Sequence, residues 1–588
     1  MIERVEVMKN FRSTFLNTCK LVWVFDKKFF VINIFIICIQ GVIPAFQIYL
    51  FKEIINLLQK NDNCIKIISA YVLLYVFVNF TDEILSTVYS YYNARYDLKF
   101  SNYINILMLK KASKMQIEDY ENPDIYDVIN RAQAQNGSNI LTFITGVAEI
   151  IKQVIKVVST ISILINFRIW IVLAIIIIPV CKSIVAIYID REWYKLRINR
   201  TKDERKNRYI NYLIMTGNAF KEIILYGLAG YLINQYEAKS EIIIDEDKKM
   251  QRKIVLLSIV SDFVDGFITG SCFVYIFVLA IKGVILIGNV TAYIECIENI
   301  QLGLQEIFDG IGNSIEQSLY IGFLFDFLKI PEKSDEGNVA LDEIKSIEIE
   351  NLSFKYCDKY ILKNINLKIK AGESIALIGE NGSGKSTLAK IIMGFYTNYE
   401  GIIRINGINL KKINKESYYK KIGCVFQDYT RYETSVRENV GFGDTNKVNE
   451  SESIKKVLNA TFMLKKAIEI GGIDTIIGKW FGNKDLSIGE WQRIAISRAL
   501  FKDADIYIFD EPDASLDILK REELSVVYRK ILKNKIRIFI THKVDYAEKV
   551  ATRIVVLENG CITEDGSHEE LMKKRGKYYF MYWKCAKV

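Results

Sequence analysis

Residues 375–393 read Ile375-Ala376-Leu377-Ile378-Gly379-Glu380-Asn381-Gly382-Ser383-Gly384-Lys385-Ser386-Thr387-Leu388-Ala389-Lys390-Ile391-Ile392-Met393. An apolar strand runs into a glycine-rich turn, and the turn opens a helix over 387–393. Residues 379–387 fit GxxxxGK[ST] in the strand–turn–helix setting that the pattern requires. Glycines let backbone N–H groups converge on phosphate oxygens at a helix N-terminus. Lys385 is placed to neutralise the β- and γ-phosphates of a nucleotide, and Ser386 to offer a hydroxyl to Mg²⁺.

A second stretch answers the first. Ile506-Tyr507-Ile508-Phe509-Asp510-Glu511 is an apolar strand ending in two acids. Downstream of a phosphate-binding loop, Asp510 is placed to hold Mg²⁺ and Glu511 to polarise an attacking water. Around these stretches short β-rich runs at 346–352, 374–378, 422–427, 506–510 and 536–541 alternate with helical ones, which predicts an α/β nucleotide-binding domain over 346–588.

The residues before it have another texture. The chain has 588 residues, 50% of them hydrophobic and 25% charged, with a mean hydropathy of +0.13. Such a chain is not a largely disordered protein, which needs low hydrophobicity. The long apolar runs are concentrated before residue 330. A bilayer core takes about 20 apolar residues per helix, and six spans are expected at 29–50, 67–91, 140–166, 169–189, 254–281 and 290–311. The last two, interrupted by Asp and Glu, are the weaker in hydropathy. Five prolines in the whole chain suit long helices. Residues 1–28 read as a lead-in, with an amphipathic helix over 13–26. Residues 29–328 form the transmembrane domain, and the polar stretch within 329–345, which contains Pro331 and Gly337, is a linker.

The net charge of +9 follows the topology rather than nucleic-acid binding. Arg191, Lys195, Arg197, Arg200, Lys202, Arg205, Lys206 and Arg208 crowd one inter-span segment, and basic loops stay in the cytoplasm. Both termini, the nucleotide-binding domain and the two long loops (92–139 and 190–253) are thereby expected inside. The short loops near Asn61-Asp62-Asn63, Asn166-Phe167-Arg168 and Lys282-Gly283 are expected outside. Each long loop reads as two helices that leave the membrane and turn back, near 118–126 and 215–227. The ten cysteines are scattered without a CxxC, and there are two histidines, which speaks against a metal centre or a disulfide scaffold. Cys585-Ala586-Lys587-Val588 imitates a prenylation box, but Lys587 interrupts the aliphatic pair. No cleavable signal peptide is visible.

Leu486-Ser487-Ile488-Gly489-Glu490-Trp491-Gln492-Arg493, just upstream of the acidic strand, resembles the signature motif of ATP-binding cassette proteins. With six spans in front, the whole chain is similar to a bacterial half-transporter of the type IV exporter class. That resemblance implies ATP as ligand with Gly379, Glu380, Asn381, Gly382, Ser383, Gly384, Lys385, Ser386 and Thr387 around its phosphates. Tyr356 resembles the aromatic that stacks on adenine, Gln427 the Q-loop glutamine that joins Ser386 and Asp510 at Mg²⁺, and His542 the switch histidine. Asp517, in Ala514-Ser515-Leu516-Asp517, resembles the D-loop aspartate. Glu511, His542 and Gln427 are the implied catalytic group. The family signature reads Leu-Ser-Gly-Gly-Gln, so Ile488 and Glu490 depart from it while Ser487 and Gly489 stand.

In that family the signature completes the nucleotide site of a second cassette, so Ser487, Ile488, Gly489 and Glu490 are expected to act in trans. The intact Glu511 and His542 favour a homodimer over a heterodimer of two competent halves. Tyr120-Glu121-Asn122-Pro123-Asp124-Ile125-Tyr126-Asp127 resembles the first intracellular turn, expected on the partner's cassette, with the other turn near Met215–Tyr226. The resemblance implies ATP-driven export across a bacterial plasma membrane. Trp480-Phe481-Gly482 and the end of the signature tilt the substrate towards a modified peptide. Drugs, lipids, siderophore import and a non-pumping membrane ATPase are the alternatives. Only 28 residues precede the first span, so no peptidase domain is expected there.

Acids within the spans point to the cavity: Asp82 and Glu83 in the second, Glu149 in the third, Asp262 and Asp265 in the fifth, and Glu306 in the sixth. A charge at the bilayer centre costs about 2.5–3.5 kcal/mol, so such groups face water, a partner or a substrate. Lys152 and Lys156 read as their only obvious counter-charges, with Glu149 one turn from Lys152. An excess of acid in the cavity would select a cationic substrate.

Overall fold

The computed structural model describes residues 2–60, 65–133, 137–216, 219–332, 337–356, 359–481 and 484–586. The expected turn at Asn61-Asp62-Asn63, residues 333–336 of the linker, Gly482 and the last two residues lie outside the described residues. The chain forms two units: Met1–Ser113 with Asp124–Ile330, and Lys114–Pro123 with Pro331–Val588.

The first unit is helical. α1 (Ile2–Phe25) is longer than the interfacial helix expected over 13–26. Asp26 then caps α2 (Lys27–Gln59) by accepting from the N–H groups of Lys28 and Phe29. α3 (Ile65–Ala112) follows. α4 (Ile117–Glu121) is a short turn helix belonging to the second unit. Next come α5 (Pro123–Gln133), α6 (Gly137–Ile165), α7 (Ile169–Met215), the short α8 (Phe220–Leu225), α9 (Leu228–Ile281) and α10 (Ile287–Lys329). At 48, 47 and 54 residues, α3, α7 and α9 far exceed one bilayer crossing. α4 and α8 sit where the two long loops were expected to turn.

Among the described residues, four helices are apolar enough to cross a membrane by length and composition: Lys27–Gln59, Ile65–Ala112, Ile169–Ile189 and Leu228–Ile281. The fifth expected span is thus one of the stronger. The third and sixth, on α6 and α10, fall short because they carry Glu149, Lys152 and Lys156, and Glu295, Glu298, Glu306 and Asp309, respectively. Both are nonetheless long continuous helices, and they supply much of the packing. Val157, Leu164, Cys296, Ile297 and Ile300 are buried together with Ile48, Ile171, Ile175 and Ile276. Val76, Phe77, Phe80, Phe263 and Phe267 stay exposed, as a lipid-facing surface requires, since tails are as apolar as the side chains.

The second unit holds two sheets. β1 (Ser346–Tyr356), β2 (Lys359–Lys370), β4 (Glu400–Ile405) and β5 (Ile408–Asn409) form an antiparallel sheet in the order β2-β1-β4-β5. The other sheet runs β10-β9-β3-β8-β7-β6, from β3 (Ser374–Ile378), β6 (Ile422–Val425), β7 (Ile506–Asp510), β8 (Ile536–Ile540), β9 (Arg553–Glu558) and β10 (Cys561–Gly566). β9, β3, β8, β7 and β6 are parallel, with β10 antiparallel on the edge. Every residue of β3 and β8 is buried, which is why these strands read as unbroken apolar runs instead of alternating. The register pairs Leu377 with Ile540, Ile540 with Asp510, and Phe509 with Val425. The C-terminal ends of β3, β8, β7 and β6 therefore line up along one edge, the place where parallel α/β sheets bind ligands.

Candidate ATP site at the strand ends

Each strand of that edge delivers one element of the site. After β3 the glycine-rich turn leads into α11 (Lys385–Ile392), whose cap is Gly384 at φ +102°. A Cβ there would lie 2.6 Å from the Leu362 side chain, so only glycine permits this conformation in this space. Lys385 is 7% exposed, and its ammonium donates to the carbonyls of Gly379 and Glu380, each at 2.9 Å. Burial lowers its pKa from the ordinary lysine value, against the opposing pull of Glu511 and Asp510. The Ser383 hydroxyl, buried in the same turn, has no hydrogen-bond partner among the described residues. A buried polar atom of this kind at the mouth of a loop is provision for a ligand oxygen.

β7 ends at Asp510, and Glu511 follows with φ +47°, a left-handed backbone that is uncommon for a residue with a side chain. Its N–H donates to the Ile540 carbonyl of β8 at 2.9 Å. The turn aims the carboxylate between two neighbours. Gln427, just beyond β6, donates its amide to Oε2 at 2.9 Å, and Nδ1 of His542, just beyond β8, lies 3.0 Å from Oε1. Asp510 holds a different contact: burial raises its pKa, while a hydrogen bond from Ser386 pulls the other way. Ser386, Gln427, Asp428 and Asp510 line a cavity of about 300 Å³. One hydroxyl, one side-chain amide and one carboxylate fit Mg²⁺, which takes oxygen ligands and keeps several waters.

The structure thus brings Lys385, Ser386, Gln427, Asp510, Glu511 and His542 to one edge. Gln492 belongs with them and was not singled out in the sequence. Its amide donates to the Glu511 carbonyl at 3.1 Å and its oxygen accepts from the Ser515 N–H at 3.2 Å. It thereby supports the strained residue. The only signal was its place directly after the signature. Tyr356 ends β1, 37% exposed, with its hydroxyl on that of Tyr396 at 2.6 Å.

Ser487 caps the helix Ile488–Phe501 in a reciprocal box: its hydroxyl accepts from the Glu490 N–H at 3.3 Å, and the Glu490 carboxylate accepts from the Ser487 N–H at 2.8 Å. Lys466 adds a contact to Glu490 at 3.4 Å. Burial pushes the Glu490 carboxyl up, but the bonds from Ser487 and the Lys466 charge outweigh it, and its pKa is lowered. Glu490 therefore fills the capping role that a glutamine would. Ile488 projects 56% exposed, so its side chain is not accommodated at the cost of the core. Gly489 is more constrained: a Cβ would lie 2.7 Å from the Ser515 carbonyl. Asp517 caps the helix Ile518–Ile531 through the Lys520 N–H at 2.7 Å.

Residues 362–514 match the ABC transporter family. The chain is 33% identical to the subtilin transport ATP-binding protein SpaT of Bacillus subtilis over 97% of its own length and 93% of that protein's. The chain belongs to the ABC transporter family. It is also 30% identical to the nisin transport ATP-binding protein NisT of Lactococcus lactis subsp. lactis, over 97% of this chain and 96% of that one. Its fold matches a bacterial Atm1-family ABC exporter solved with ATP bound, at a TM-score of 0.77 and 21% identity, covering 95% of this chain and 98% of that one. This transporter is therefore a helical membrane region followed by an α/β ATPase domain, a half-transporter of the type IV exporter class that binds ATP and couples its hydrolysis to transport.

Two expectations about this transporter need correction. The first concerns charge in the membrane helices. Lys182 of α7, not Lys152 or Lys156, answers the acids of α9: its ammonium lies 2.9 Å from Asp262 and 2.7 Å from Asp265. Asp265 also accepts from Thr269 and from Gln301 of α10, each at 3.1 Å. One lysine thus answers two aspartates, and that lone lysine inside the apolar run 169–189 was the overlooked signal. Glu149 pairs with Lys152 at 2.6 Å, as expected. Among the described residues no ion pair joins Asp82, Glu83 or Glu306.

The second correction concerns the first turn. Its start lies on this chain's own cassette: Glu121 accepts from Tyr396 at 2.7 Å and from Lys390 at 3.0 Å. These are contacts between a segment inserted among the membrane helices in sequence and the core of the ATPase unit. They cannot be read from local pattern.

Proposed function

We propose that this transporter exports a modified, cationic peptide across a bacterial plasma membrane as a homodimer of six-span halves, with both termini and both ATPase domains in the cytoplasm. The observation that carries the ATPase reading is the Glu511 carboxylate held between Gln427 and His542 beside the phosphate loop. The peptide reading is supported by similarity, along nearly the whole chain, to two proteins named for subtilin and nisin transport.

In this reading, backbone N–H groups of 379–387 and the Lys385 ammonium bind the ATP phosphates, and Tyr356 stacks on the base. Glu511 orients the attacking water and takes its proton, while His542 positions the carboxylate and meets the γ-phosphate. Ser386, Gln427 and Asp510 would hold Mg²⁺, which neutralises phosphate charge. Ser487 and Gly489 act on the nucleotide of the partner cassette, with Asp517 at the same junction. Closure of the two cassettes shuts out bulk water while keeping the attacking one, and drives the membrane helices from inward- to outward-facing.

Inverted membrane vesicles carrying this chain alone test the proposal. They should concentrate a labelled cationic peptide with ATP and not with a non-hydrolysable analogue. Accumulation of a neutral drug or a labelled lipid instead would replace the peptide reading. ATP hydrolysis without accumulation of any of them would leave a non-pumping ATPase.

A further inference from the structure

Three side chains link the nucleotide site to the turn helix α4. The Tyr356 hydroxyl donates to the Tyr396 hydroxyl at 2.6 Å, and the Tyr396 hydroxyl donates to Glu121 Oε2 at 2.7 Å. The other carboxylate oxygen, Oε1, accepts from Lys390 at 3.0 Å. Lys390 lies on α11, the helix that begins at Lys385. Glu121 therefore holds both ends of the proposed ATP site: the base-stacking aromatic through Tyr396, and the phosphate-loop helix through Lys390.

The chain has one polarity. Tyr396 is 1% exposed, so its hydroxyl must be satisfied within the protein. It accepts from Tyr356 and gives its own proton to a carboxylate, a charge-assisted bond stronger than a neutral one. The rings of Tyr356 and Tyr396 meet edge to face, 5.6 Å apart at 89°, so the orientation of Tyr396 sets that of Tyr356. A tyrosine that only stacked on a base would need no such hydroxyl chain.

We propose that Glu121 and Tyr396 are positioning residues for the ATP site. Glu121, acting through Tyr396, fixes the plane of the Tyr356 ring, so that a base stacked on the ring immobilises the 116–122 turn. The inference rests on the reading of Tyr356 as the base-stacking residue, and the variants below separate the two ideas.

The test uses the full-length transporter in lipid nanodiscs. Tyr356→Phe keeps the ring and deletes the first link, and Tyr396→Phe keeps the ring and deletes both. Each should raise KM for ATP roughly threefold to tenfold, the worth of one neutral hydrogen bond, with kcat within about twofold of the parent. Because both break the same chain, the double variant should be no worse than either single one. Glu121→Gln keeps an acceptor without its charge and should shift KM in the same direction by less. Hydrogen exchange supplies a readout that a merely structural role would not move. In a Glu511→Gln background, ATP should protect the amides of 116–122. Tyr396→Phe should abolish that protection while sparing that of the 379–387 loop. Parental KM in Tyr396→Phe, multiplying single effects, or unchanged protection of 116–122 would each overturn the proposal. Tyr356→Ala tests stacking alone. If it leaves KM unchanged, the base-stacking reading falls. If it raises KM while Tyr396→Phe does not, stacking stands and the relay falls.

Discussion

Replacing Glu511 by glutamine separates the chemistry of this carboxylate from its structural role. The side chain keeps its size, and glutamine is no worse suited than glutamate to the left-handed backbone at φ +47°. Two contacts are at stake, from Gln427 at 2.9 Å and with His542 at 3.0 Å. A carboxamide still offers one oxygen, and the Gln427 amide or the histidine tautomer can reverse to meet its nitrogen. The structural loss is then two charge-assisted bonds becoming neutral, about 1–2 kcal/mol. The catalytic loss is larger. Removing a general base costs about 10²–10⁴ in rate, which is about 2.7–5.4 kcal/mol at 1.36 kcal/mol per decade. The variant should therefore melt near the parental temperature and bind ATP as tightly, while kcat for phosphate release falls at least 100-fold. ATP should remain trapped after rapid desalting of the full-length dimer. Turnover within about fivefold of the parent would show that Glu511 does not take the proton. Loss of ATP binding would show that its main task is to hold the loop.

Ser487 both caps a helix and is assigned to the partner's nucleotide, and Ser487→Asp separates these tasks: Ser487→Ala should cost about 1 kcal/mol of stability through the lost cap, Ser487→Asp should keep the melting temperature, and both should lose ATPase activity. Mixing Ser487→Ala chains with Lys385→Ala chains should yield hybrids more active than either parent, and their absence would count against action in trans or show that the two sites fire only together. Lys182→Met leaves Asp262 and Asp265 uncompensated and should lower stability in detergent by about 1–2 kcal/mol, discounted from the fully buried case because the Asp262 side chain is 70% exposed. Adding Asp262→Asn and Asp265→Asn should restore it, and a triple variant as unstable as the single one would show that the ion pairs are not the cause. Burial raises the pKa of Asp510, so the folded form binds its proton more readily than the unfolded one, and ionised Asp510 costs stability that is recovered as pH falls through the raised folded value. Asp510→Asn should therefore raise the melting temperature of the nucleotide-free transporter, more at pH 8 than near the ordinary carboxyl value at about pH 4, while abolishing hydrolysis; a gain that shrinks as pH rises would contradict this.

The local chemistry of the site was legible in the chain. The 375–387 stretch reads as strand, turn and helix because an apolar run gives way to glycines, one of which takes the left-handed turn at Gly384 without a Cβ penalty, and β3 and β7 have the bounds expected for them. Half of the strands escaped that reading. β2, with its Asn364-Ile365-Asn366-Leu367-Lys368 alternation, and β4, β5 and β10 are partly exposed, so their hydrophobic signal is interrupted, whereas β9 buries residues 554–557 as a short apolar run without a motif at its end. The helices carrying internal charge, α6 and α10, look weak as spans but are tightly packed, because burial against neighbours is not a property of a window of sequence.

What the sequence alone determined was which residue types stand at each loop: a lysine and serine after one strand, two acids after another, a glutamine and a histidine after two more. What only the tertiary structure decided was that these loops meet. Gln427 reaches Glu511 across 84 residues because β6, β7 and β8 are neighbours in register. Lys182 meets Asp262 and Asp265 across 80 and 83 residues, and Glu121 meets Tyr396 across 275. A motif is set by the steric and hydrogen-bonding limits of a few consecutive residues. Which motif faces which is set by strand order and helix packing, where the free energy comes from burying apolar surface in the ATPase unit and from close packing and polar contacts between the membrane helices.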